Sequence, residues 1–446
     1  MELIHHGAHQ GVTGSCHELH CDTTGSNRLL VDCGLFQGND ARRHPNQEIK
    51  FPLAGIHALL LTHVHIDHAG RIPYLLAAGF KGPIYCSKPT AELLPMVMQD
   101  ALKIGFTKNR RMIKQFLEKI DAMLRPIEYG KWQTIEGDNQ IRLSPAGHVL
   151  GSCYFEVQTA DDHRVVFSGD LGAKNAPLLN PAKSPESADL MVLESTYGDK
   201  LHPPKENRQR QLEDVLCRTL ENKGVTIIPA FSLGRTQALL FELNNIFEQI
   251  QHRMNCDLMR NIDVIVDSPL ASRFTEIYKR LKPYWGAEAQ AVLSVDDAPL
   301  VFDNLVTVGN HNEHRDTLEY LAQRKLPAIV IAGSGMCTGG RVVNYLKKFI
   351  GREDTDILFV GYQAGGTPGH YIQRVGDWVR INGRKYTINA GVHTITGYSA
   401  HGDQADLVDF AQQCDSKPKH IRLVHGEYDA KSALQTKLQE EGFSVD

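Results

Sequence analysis

Residues 62–71 read Thr-His-Val-His-Ile-Asp-His-Ala-Gly-Arg, and an apolar run at 58–61 leads into them. An apolar run of this length before a polar cluster predicts a buried strand that ends at a functional site. Side chains two residues apart on an extended strand point to the same side, so His63 and His65 are expected to project together. The strand is therefore predicted to deliver two imidazoles to one place.

The chain is then predicted to turn, with Asp67 and His68 at the start of a helix. Pro73 suits the first turn of that helix, and Gly79 suits its end. Three imidazoles and one carboxylate within six residues are ligands that zinc or a similar divalent metal prefers. Unrelated surface histidines are the plain alternative, but they rarely show this spacing. The stretch predicts a metal site.

The chain has 446 residues, which is too long for one ordinary core and predicts two or three domains. Hydrophobic residues make up 42% and charged residues 22%, as in globular proteins that dissolve in water. The net charge of −4 gives no overall attraction to nucleic acid, so polyanion binding would need a local basic surface. The nine cysteines form no Cys-x-x-Cys pair, which fits a reducing compartment. Since no signal-peptide pattern or long apolar run is present, we expect a cytoplasmic protein without a membrane segment.

Other polar side chains follow predicted strands in the first 200 residues. Asp32 ends the run at 28–31, where it could be a simple turn residue or could orient a ligand imidazole from behind the metal. His148 lies in a loop bounded by glycines, and Asp170 ends the next strand between glycines that let backbone approach closely. His148 as a further ligand and Asp170 as a bridging carboxylate would complete a site for two metals. Glu194 ends the strand after that.

After about residue 200, strands alternate with helices, which predicts a parallel sheet covered by helices. Two strand-to-helix turns, 230–235 and 333–341, are rich in small residues, and each contains an arginine. Such turns expose backbone N–H groups at a helix N-terminus and could hold phosphates. Close packing of helix on strand explains either loop equally well, and neither is a Walker A loop. The candidate phosphate contacts are Ser232, Arg235, Ser334, Gly335, Gly340 and Arg341.

Three further features complete the pattern. Acidic residues interleave with the basic ones of a predicted helical stretch at 90–120, so a solvated face explains it better than a phosphate surface. Asn382-Gly383 between two alternating runs predicts a hairpin. His401 then opens a predicted helix, and His425 ends the last predicted strand.

Taken together, these residues resemble the metallo-β-lactamase superfamily, and within it the β-CASP ribonuclease family. Thr-His-Val-His-Ile-Asp-His is similar to the superfamily signature, and Gly-His148 and Ser-Gly-Asp170 resemble its later metal motifs. The runs that contain Glu194, His401 and His425 resemble the three β-CASP motifs in order. The chain is also similar to bacterial and archaeal homologues of the endonuclease subunit of the eukaryotic pre-mRNA 3′-end cleavage and polyadenylation factor.

The resemblance implies an α/β fold, namely an αββα metallo-β-lactamase sandwich with an inserted β-CASP domain that has a parallel sheet. The implied domains are 1–200 for the first part of the sandwich, 201–375 for the β-CASP domain and 376–446 for the returning part of the sandwich. It also implies two Zn²⁺ ions per chain. The implied ligands are His63, His65 and His148 for the first ion, Asp67, His68 and His425 for the second, and Asp170 as a bridge.

The implied activity is that of a zinc-dependent endoribonuclease, in which hydroxide activated by two metals hydrolyses RNA and leaves 5′-phosphate and 3′-hydroxyl ends. His401, oriented by Glu194, would be the acid near the leaving group, and Asp67 would belong to the catalytic residues as well as to the ligands. A histidine at 425 implies RNA rather than DNA as the substrate, and the family also implies a homodimer.

Three alternatives remain. A 5′-to-3′ exoribonuclease of the RNase J type shares the metal site, although the Pro-Ala-Phe-Ser-Leu-Gly-Arg run at 229–235 looks more like the cleavage-factor group. A small-ester hydrolase of the same superfamily would not need the inserted domain or His401. An inactive scaffold would be expected to have lost ligands, whereas this chain keeps all of them.

Overall fold

The computed structural model describes residues 1–254, 261–324, 326–374 and 376–446. Cys256 lies outside the described residues, and no two of the eight described cysteines form a disulfide. The chain divides into two compact units. The first unit comprises Met1–Lys174, Asn180–Leu201 and His401–Asp446, and the second comprises Asn175–Leu179 and His202–Ala400.

The first sheet of the first unit has six strands in chain order, antiparallel from β1 to β3 and parallel from β3 to β6. The strands are β1 (Glu2–Gly7), β2 (Cys16–His20), β3 (Arg28–Val31), β4 (Ile56–Leu60), β5 (Ile84–Ser87) and β6 (Leu124–Ile127). The helices among them are α1 (Gly38–Arg43), α2 (Ile66–Ala69), α3 (Ile72–Ala77), α4 (Lys88–Gly105) and α5 (Arg110–Met123).

The helical stretch predicted at 90–120 consists of two helices, α4 and α5. Ser87 caps the start of α4, because its side chain accepts a hydrogen bond from the Thr90 N–H. Asn109 caps the start of α5 in the same way, by accepting from the Arg111 and Met112 N–H groups. An Asn side chain that bonds nearby backbone N–H groups favours a helix start over a helix interior, which explains the break.

The second sheet of the first unit begins with β7 (Gln133–Thr134), β8 (Gln140–Pro145), β9 (Cys153–Gln158), β10 (Arg164–Phe167) and β11 (Leu190–Glu194). Neighbouring strands from β7 to β10 are antiparallel, whereas β10 and β11 are parallel. The two strands predicted to lead to Asp170 and Glu194 are therefore present and adjacent.

The second unit is a parallel sheet with helices, as the alternating pattern predicted, and its strand order is β14-β13-β15-β12-β16-β19. Strands such as β12 and β15 are entirely buried, which is why they read as continuous apolar runs. The strands are β12 (Val225–Pro229), β13 (Asp263–Asp267), β14 (Leu305–Thr307), β15 (Ala328–Ala332), β16 (Thr355–Phe359) and β19 (Gly391–Thr394). The helices are α6 (Lys205–Asn222), α7 (Arg235–Met254), α8 (Pro269–Arg280), α9 (Ala287–Leu293), α10 (His311–Gln323), α11 (Val342–Phe349) and α12 (Pro368–Gln373).

A separate two-stranded sheet in the second unit confirms the hairpin predicted at Asn382-Gly383. It pairs β17 (Trp378–Ile381) with β18 (Arg384–Thr387) in antiparallel register. Both turn residues have positive φ, 48° at Asn382 and 79° at Gly383. That backbone conformation is the one that an Asn-Gly hairpin turn requires.

The chain returns to the first unit with α13 (Gln404–Gln412), β20 (His420–Val424) and α14 (Tyr428–Glu440). Strand β20 pairs in parallel with β11 and completes the second sheet. One buried cluster joins the facing sides of the two sheets, through residues such as Leu29 and Leu60 in the first sheet and Phe155 and Val165 in the second. A second cluster packs α13 and α14 on the outer side of the second sheet, and α4 contacts β5 and β6 of the first. This arrangement confirms the αββα sandwich.

A buried ion pair supports the second unit and gives a test of its packing. Arg208 on α6 is 2% exposed, and its guanidinium donates to Glu242 at 2.9 Å and to the Asn175 carbonyl at 2.8 Å. We expect Arg208→Met to lower the free energy of unfolding by about 3–5 kcal/mol, because it leaves the Glu242 carboxylate buried without its cation. Arg210→Met, which removes an exposed arginine from the same helix, is the matched control. Urea unfolding of both variants measures the difference, and equal stability would contradict a structural role for the pair.

Candidate metal centre

Seven candidate ligands of the first unit lie just beyond strand ends or in the short helix α2, and the fold brings them together. His63 follows β4, Asp170 follows β10 and His425 follows β20. His148 lies in the loop between β8 and β9. Together with His401, these residues form three overlapping groups, and the ligand atoms within each group lie within 4.8 Å of one another. The first group is His63, His65, His148 and Asp170. The second is Asp67, His68 and His425, and the third is Asp170, His401 and His425.

The first group is a ring of three imidazoles. Nδ1 of His65 lies 3.1 Å from Nε2 of His63 and 3.0 Å from Nε2 of His148. Burial lowers the pKa of His65 to about 4 and the pKa values of His63 and His148 well below their usual value. The rings are therefore neutral at physiological pH, which is the form of histidine that binds a metal.

The second group includes Asp67 and His68, which lie within α2 rather than at the start of the next helix. Helix α2 has four residues, with His65 at its N-cap and Gly70 at its C-cap, and α3 begins at Ile72. The prediction of one continuous helix start was wrong in this detail. A separate turn of helix places Asp67 and His68 beside His425, which β20 supplies from the far end of the chain.

Asp170 lies between the two groups, and its oxygens face different ones. Oδ2 lies 3.5 Å from Nε2 of both His63 and His148. Oδ1 lies 3.1 Å from Nε2 of His68 and 3.4 Å from Nε2 of His425. Burial alone would raise the pKa of Asp170, but electrostatic interaction with the imidazoles of His425, His68 and His63 holds it well below its usual value. One ionised carboxylate therefore serves both groups.

Two buried atoms of the centre have no hydrogen-bond partner among the described residues, as expected if they bind a cation. Among the described residues, neither Nε2 of His68 nor Oδ1 of Asp170 has a hydrogen-bond partner, although both atoms are buried and lie 3.1 Å apart. Buried polar atoms without partners are uncommon in folded proteins and call for an explanation. Imidazole nitrogens and carboxylate oxygens that converge in this way are a donor set suited to zinc.

Asp32 supports this arrangement from behind. Its Oδ2 lies 2.7 Å from Nδ1 of His68, so the opposite ring nitrogen faces Asp170. Its oxygens also accept from the N–H and the hydroxyl of Thr62 at 2.8–3.0 Å. Asp32 is 1% exposed and has a φ of 59°. The geometry therefore agrees with the orienting interpretation of Asp32 rather than with a simple turn residue.

His401 and Glu194 form a pair at the edge of the ligand groups, in which Glu194 is buried and His401 is partly exposed. Nδ1 of His401 lies 3.2 and 3.3 Å from the two Glu194 oxygens and 3.9 Å from Oδ2 of Asp170. Burial opposes protonation of His401, but the charges of Glu194, Asp170 and Asp67 outweigh it and raise its pKa to about 9. The imidazolium is therefore the favoured form near neutral pH, as proton donation requires.

The loop at 11–16 contacts the backbone of the candidate metal centre through hydrogen bonds. The Ser15 N–H donates to the Asp67 carbonyl at 2.8 Å, and the Gly426 N–H donates to the Gly11 carbonyl at 3.3 Å. Gly34 packs so closely that a Cβ there would lie 1.5 Å from the Asp67 carbonyl oxygen. Gly34 was therefore a sequence signal for close backbone packing, but its partner, Asp67, lies 33 positions away in the chain.

The phosphate candidates lie in the second unit, where their two loops are neighbours. A Cβ at Gly335 would lie 3.0 Å from the Phe231 ring, and a Cβ at Gly333 would lie 3.7 Å from the Ser232 hydroxyl. Ser232 shares a hydrogen bond of 3.0 Å with Ser268, and Ser334 shares one of 3.2 Å with Thr338. The loops thus bring several hydroxyl groups to the C-terminal edge of the parallel sheet.

The other phosphate candidates lie on the same loops. Arg235 is the first residue of α7. Gly340 has a φ of 72°, and a Cβ there would lie 2.4 Å from the Gly333 carbonyl oxygen. The Arg341 guanidinium donates to the buried Asp267 carboxylate and to the Val308 carbonyl. These contacts agree with the packing interpretation of Arg341 and Gly340.

Comparison with known families divides the chain into three matched segments. The model of the metallo-beta-lactamase superfamily matches residues 22–221, and that of the Beta-Casp domain matches residues 236–372. The model of a Zn-dependent metallo-hydrolase RNA specificity domain matches residues 385–446.

Relatives match along most of the chain. A ribonuclease of Thermus thermophilus is 35% identical over 450 residues, which cover 100% of this chain and 97% of the relative. The transcription termination factor FttA of Methanocaldococcus jannaschii is 31% identical over 91% of this chain, and the chain spans 64% of that longer protein. The fold is similar to that of a solved protein of unknown function from Enterococcus faecalis, with a TM-score of 0.56 at 12% identity over 99% of this chain and 96% of that one. In the part of the chain that is described, no helix is long and apolar enough to cross a membrane. The chain therefore belongs to the β-CASP ribonuclease family of the metallo-β-lactamase superfamily, a family of metal-dependent nucleases.

Proposed function

We propose that this chain is a two-zinc endoribonuclease that hydrolyses RNA phosphodiester bonds and leaves 5′-phosphate and 3′-hydroxyl ends. The observation that carries the proposal is the position of Asp170, whose two oxygens face two separate sets of imidazoles. The name of the Thermus thermophilus relative and the RNA specificity domain matched at 385–446 support RNA as the substrate.

In this proposal, the ligand groups divide between two ions. The first ion would be held by His63, His65 and His148 and the second by Asp67, His68 and His425, with Asp170 between them. When bound, two zinc ions lower the pKa of a water molecule to near neutrality and neutralise charge that develops on the phosphate oxygens. Asp32 keeps Nδ1 of His68 occupied, which leaves Nε2 directed at the centre.

His401 is the proposed general acid. Its imidazolium would donate a proton to the departing ribose 3′-oxygen, which otherwise leaves as a costly alkoxide. Glu194 holds the ring through Nδ1, so the proton for the substrate would come from Nε2. The same Glu194 carboxylate accepts from the Leu171 N–H at 2.7 Å, and it therefore ties His401 to the residue that follows Asp170.

The loops of the second unit are the proposed contacts for RNA phosphates, through Ser232, Arg235, Ser334 and Gly335. We assign Arg341 and Gly340 to the support of these loops, because the Arg341 guanidinium already binds Asp267. No two of the eight described cysteines form a disulfide, which supports a cytoplasmic location. A homodimer is a further expectation from the family, and light scattering would test it.

The bridging role of Asp170 predicts that metal and activity are lost together. We expect Asp170→Asn to lower both the zinc content per chain and the rate of RNA cleavage, because the amide offers one oxygen and no charge. Plasma mass spectrometry of the purified protein measures the zinc. Asp161→Asn changes an exposed aspartate of the same unit and should alter neither quantity. Full zinc occupancy in the Asp170 variant would rule out the bridge.

The proposed role of His401 as the acid predicts that activity is lost while the metal is retained. His401→Ala should lower kcat by ~10²–10⁴ and leave the zinc content close to that of the unaltered chain. Because Asp170, His401 and His425 also form a possible ligand group, zinc loss in this variant would instead make His401 a ligand. His163→Ala, which removes a half-exposed histidine of the first unit, is the control for general effects of losing an imidazole.

A circular RNA separates the endonuclease from the 5′-to-3′ exonuclease alternative. An endonuclease can cut a closed circle, whereas an exonuclease has no end at which to start. We expect the zinc-loaded chain to convert circular RNA into linear products with 5′-phosphates, as gel mobility and phosphatase-dependent labelling would reveal. An intact circle beside a degraded linear RNA of the same sequence would favour the exonuclease.

A further inference from the structure

The hairpin of β17 and β18 presents an exposed aromatic ring on an ordered surface. Trp378 is 44% exposed, whereas Val379 and Ile381 on the same strand are each 1% exposed. The two buried residues belong to the core cluster of the second unit, and α12 contacts β17. An isolated hairpin is marginally stable in water, so this packing is what holds its outer face in place.

The outer face carries cations next to the tryptophan. Side chains alternate along a strand, so Trp378 and Arg380 share the face opposite to Val379. Arg380 pairs directly with Lys385 across the hairpin, and the Lys385 ammonium lies 4.5 Å from the centre of the Trp378 ring. A cation at this distance from an indole face is attracted by it. The ring and the two cations therefore form one continuous surface.

The surface is basic in a chain that is acidic overall. Residues 371–387 contain four cations (Arg374, Arg380, Arg384 and Lys385) and one anion (Asp377), whereas the whole chain has a net charge of −4. All four cations are exposed. None of them forms a salt bridge with any residue that the structure describes. Their charge is thus available to an anionic partner.

We propose that this hairpin is a docking surface for single-stranded RNA. Trp378 would stack on an unpaired base, and Arg380 and Lys385, which share its face of the hairpin, would bind the phosphates beside it. Aromatic rings beside a basic track are the combination that binds single strands without sequence preference, because every base has a flat face. The inference rests on the proposed function in taking RNA as the polymer.

The charge of the surface selects this occupant over others. A protein with an acidic face would satisfy the cations and leave the Trp378 ring unused, whereas an apolar face would leave Arg380 and Lys385 without a partner. Duplex RNA would satisfy the cations and leave Trp378 unused, because its bases are already stacked and paired. A single strand uses both the ring and the charges.

Fluorescence anisotropy of a labelled oligouridylate tests the proposal. All proteins carry His401→Ala so that the probe stays intact, which gel electrophoresis of the same sample verifies. We expect Trp378→Ala to weaken binding about 5- to 50-fold and Trp378→Phe, which keeps a flat ring, to retain most of it. Arg380→Ala together with Lys385→Ala should lower the slope of log Kd against log salt by about 0.7 for each lost cation. Arg315→Ala, an exposed arginine of the same unit, should change neither.

The outcomes separate this inference from the proposed function. Unchanged affinity and salt slope in all hairpin variants would overturn the docking surface, even if the chain cleaves RNA. An equal loss of binding to a duplex probe in Trp378→Ala would overturn the stacking role. A change of oligomeric mass with unaltered RNA binding would make the hairpin a protein interface instead. If the chain with His401 intact fails to cleave RNA while the hairpin variants still lose binding, the nuclease proposal fails and the docking surface stands.

Discussion

The close contacts between the Asp170 carboxylate and the imidazoles around it are the interaction on which the rest of the first unit depends. Asp170 is 3% exposed, and a buried charge without partners would be strongly destabilising. Its partners come from four separate segments of the chain, so the buried carboxylate is stabilised only when all four segments have folded around it. A Cβ at Gly169 would lie 2.7 Å from the Thr62 Cβ. The loop that contains Asp170 therefore packs directly against the end of β4, which is followed by His63.

Two further carboxylates hold the surroundings of Asp170. Asp32 binds both Thr62 and His68, so one side chain orients the end of β4 and the helix α2 together. Glu194 accepts from the Leu171 and Thr196 N–H groups and faces His401. Asp32 and His425 also have positive φ values, 59° and 53°. Residues that are held in this sparsely populated region cluster at functional sites, where the surroundings determine the conformation.

Much of the fold and of the candidate site could be predicted from local pattern. Apolar runs ending in His, Asp or Glu identified β3, β4, β10, β11 and β20, because a buried strand and its polar tip leave a clear signature. The details that the sequence did not predict depend on one helix cap and on contacts between residues far apart in the chain. The cap at Asn109 divides a stretch that reads as one helix. The sequence left phosphate binding and packing equally open for the loop of Arg341, because Asp267, which accepts from its guanidinium, lies 74 positions away.

By itself, the sequence determined which groups could bind metal and which strands would present them, since residue type and the alternation of side chains along a strand are local properties. Only the tertiary structure shows which of these candidate groups lie together. The pairing of β20 with β11 places the two oxygens of Asp170 in different environments. It also brings His401 to Glu194, which lies 207 positions away in the chain. That pairing joins segments from opposite ends of the chain, and no local pattern in either segment specifies its partner.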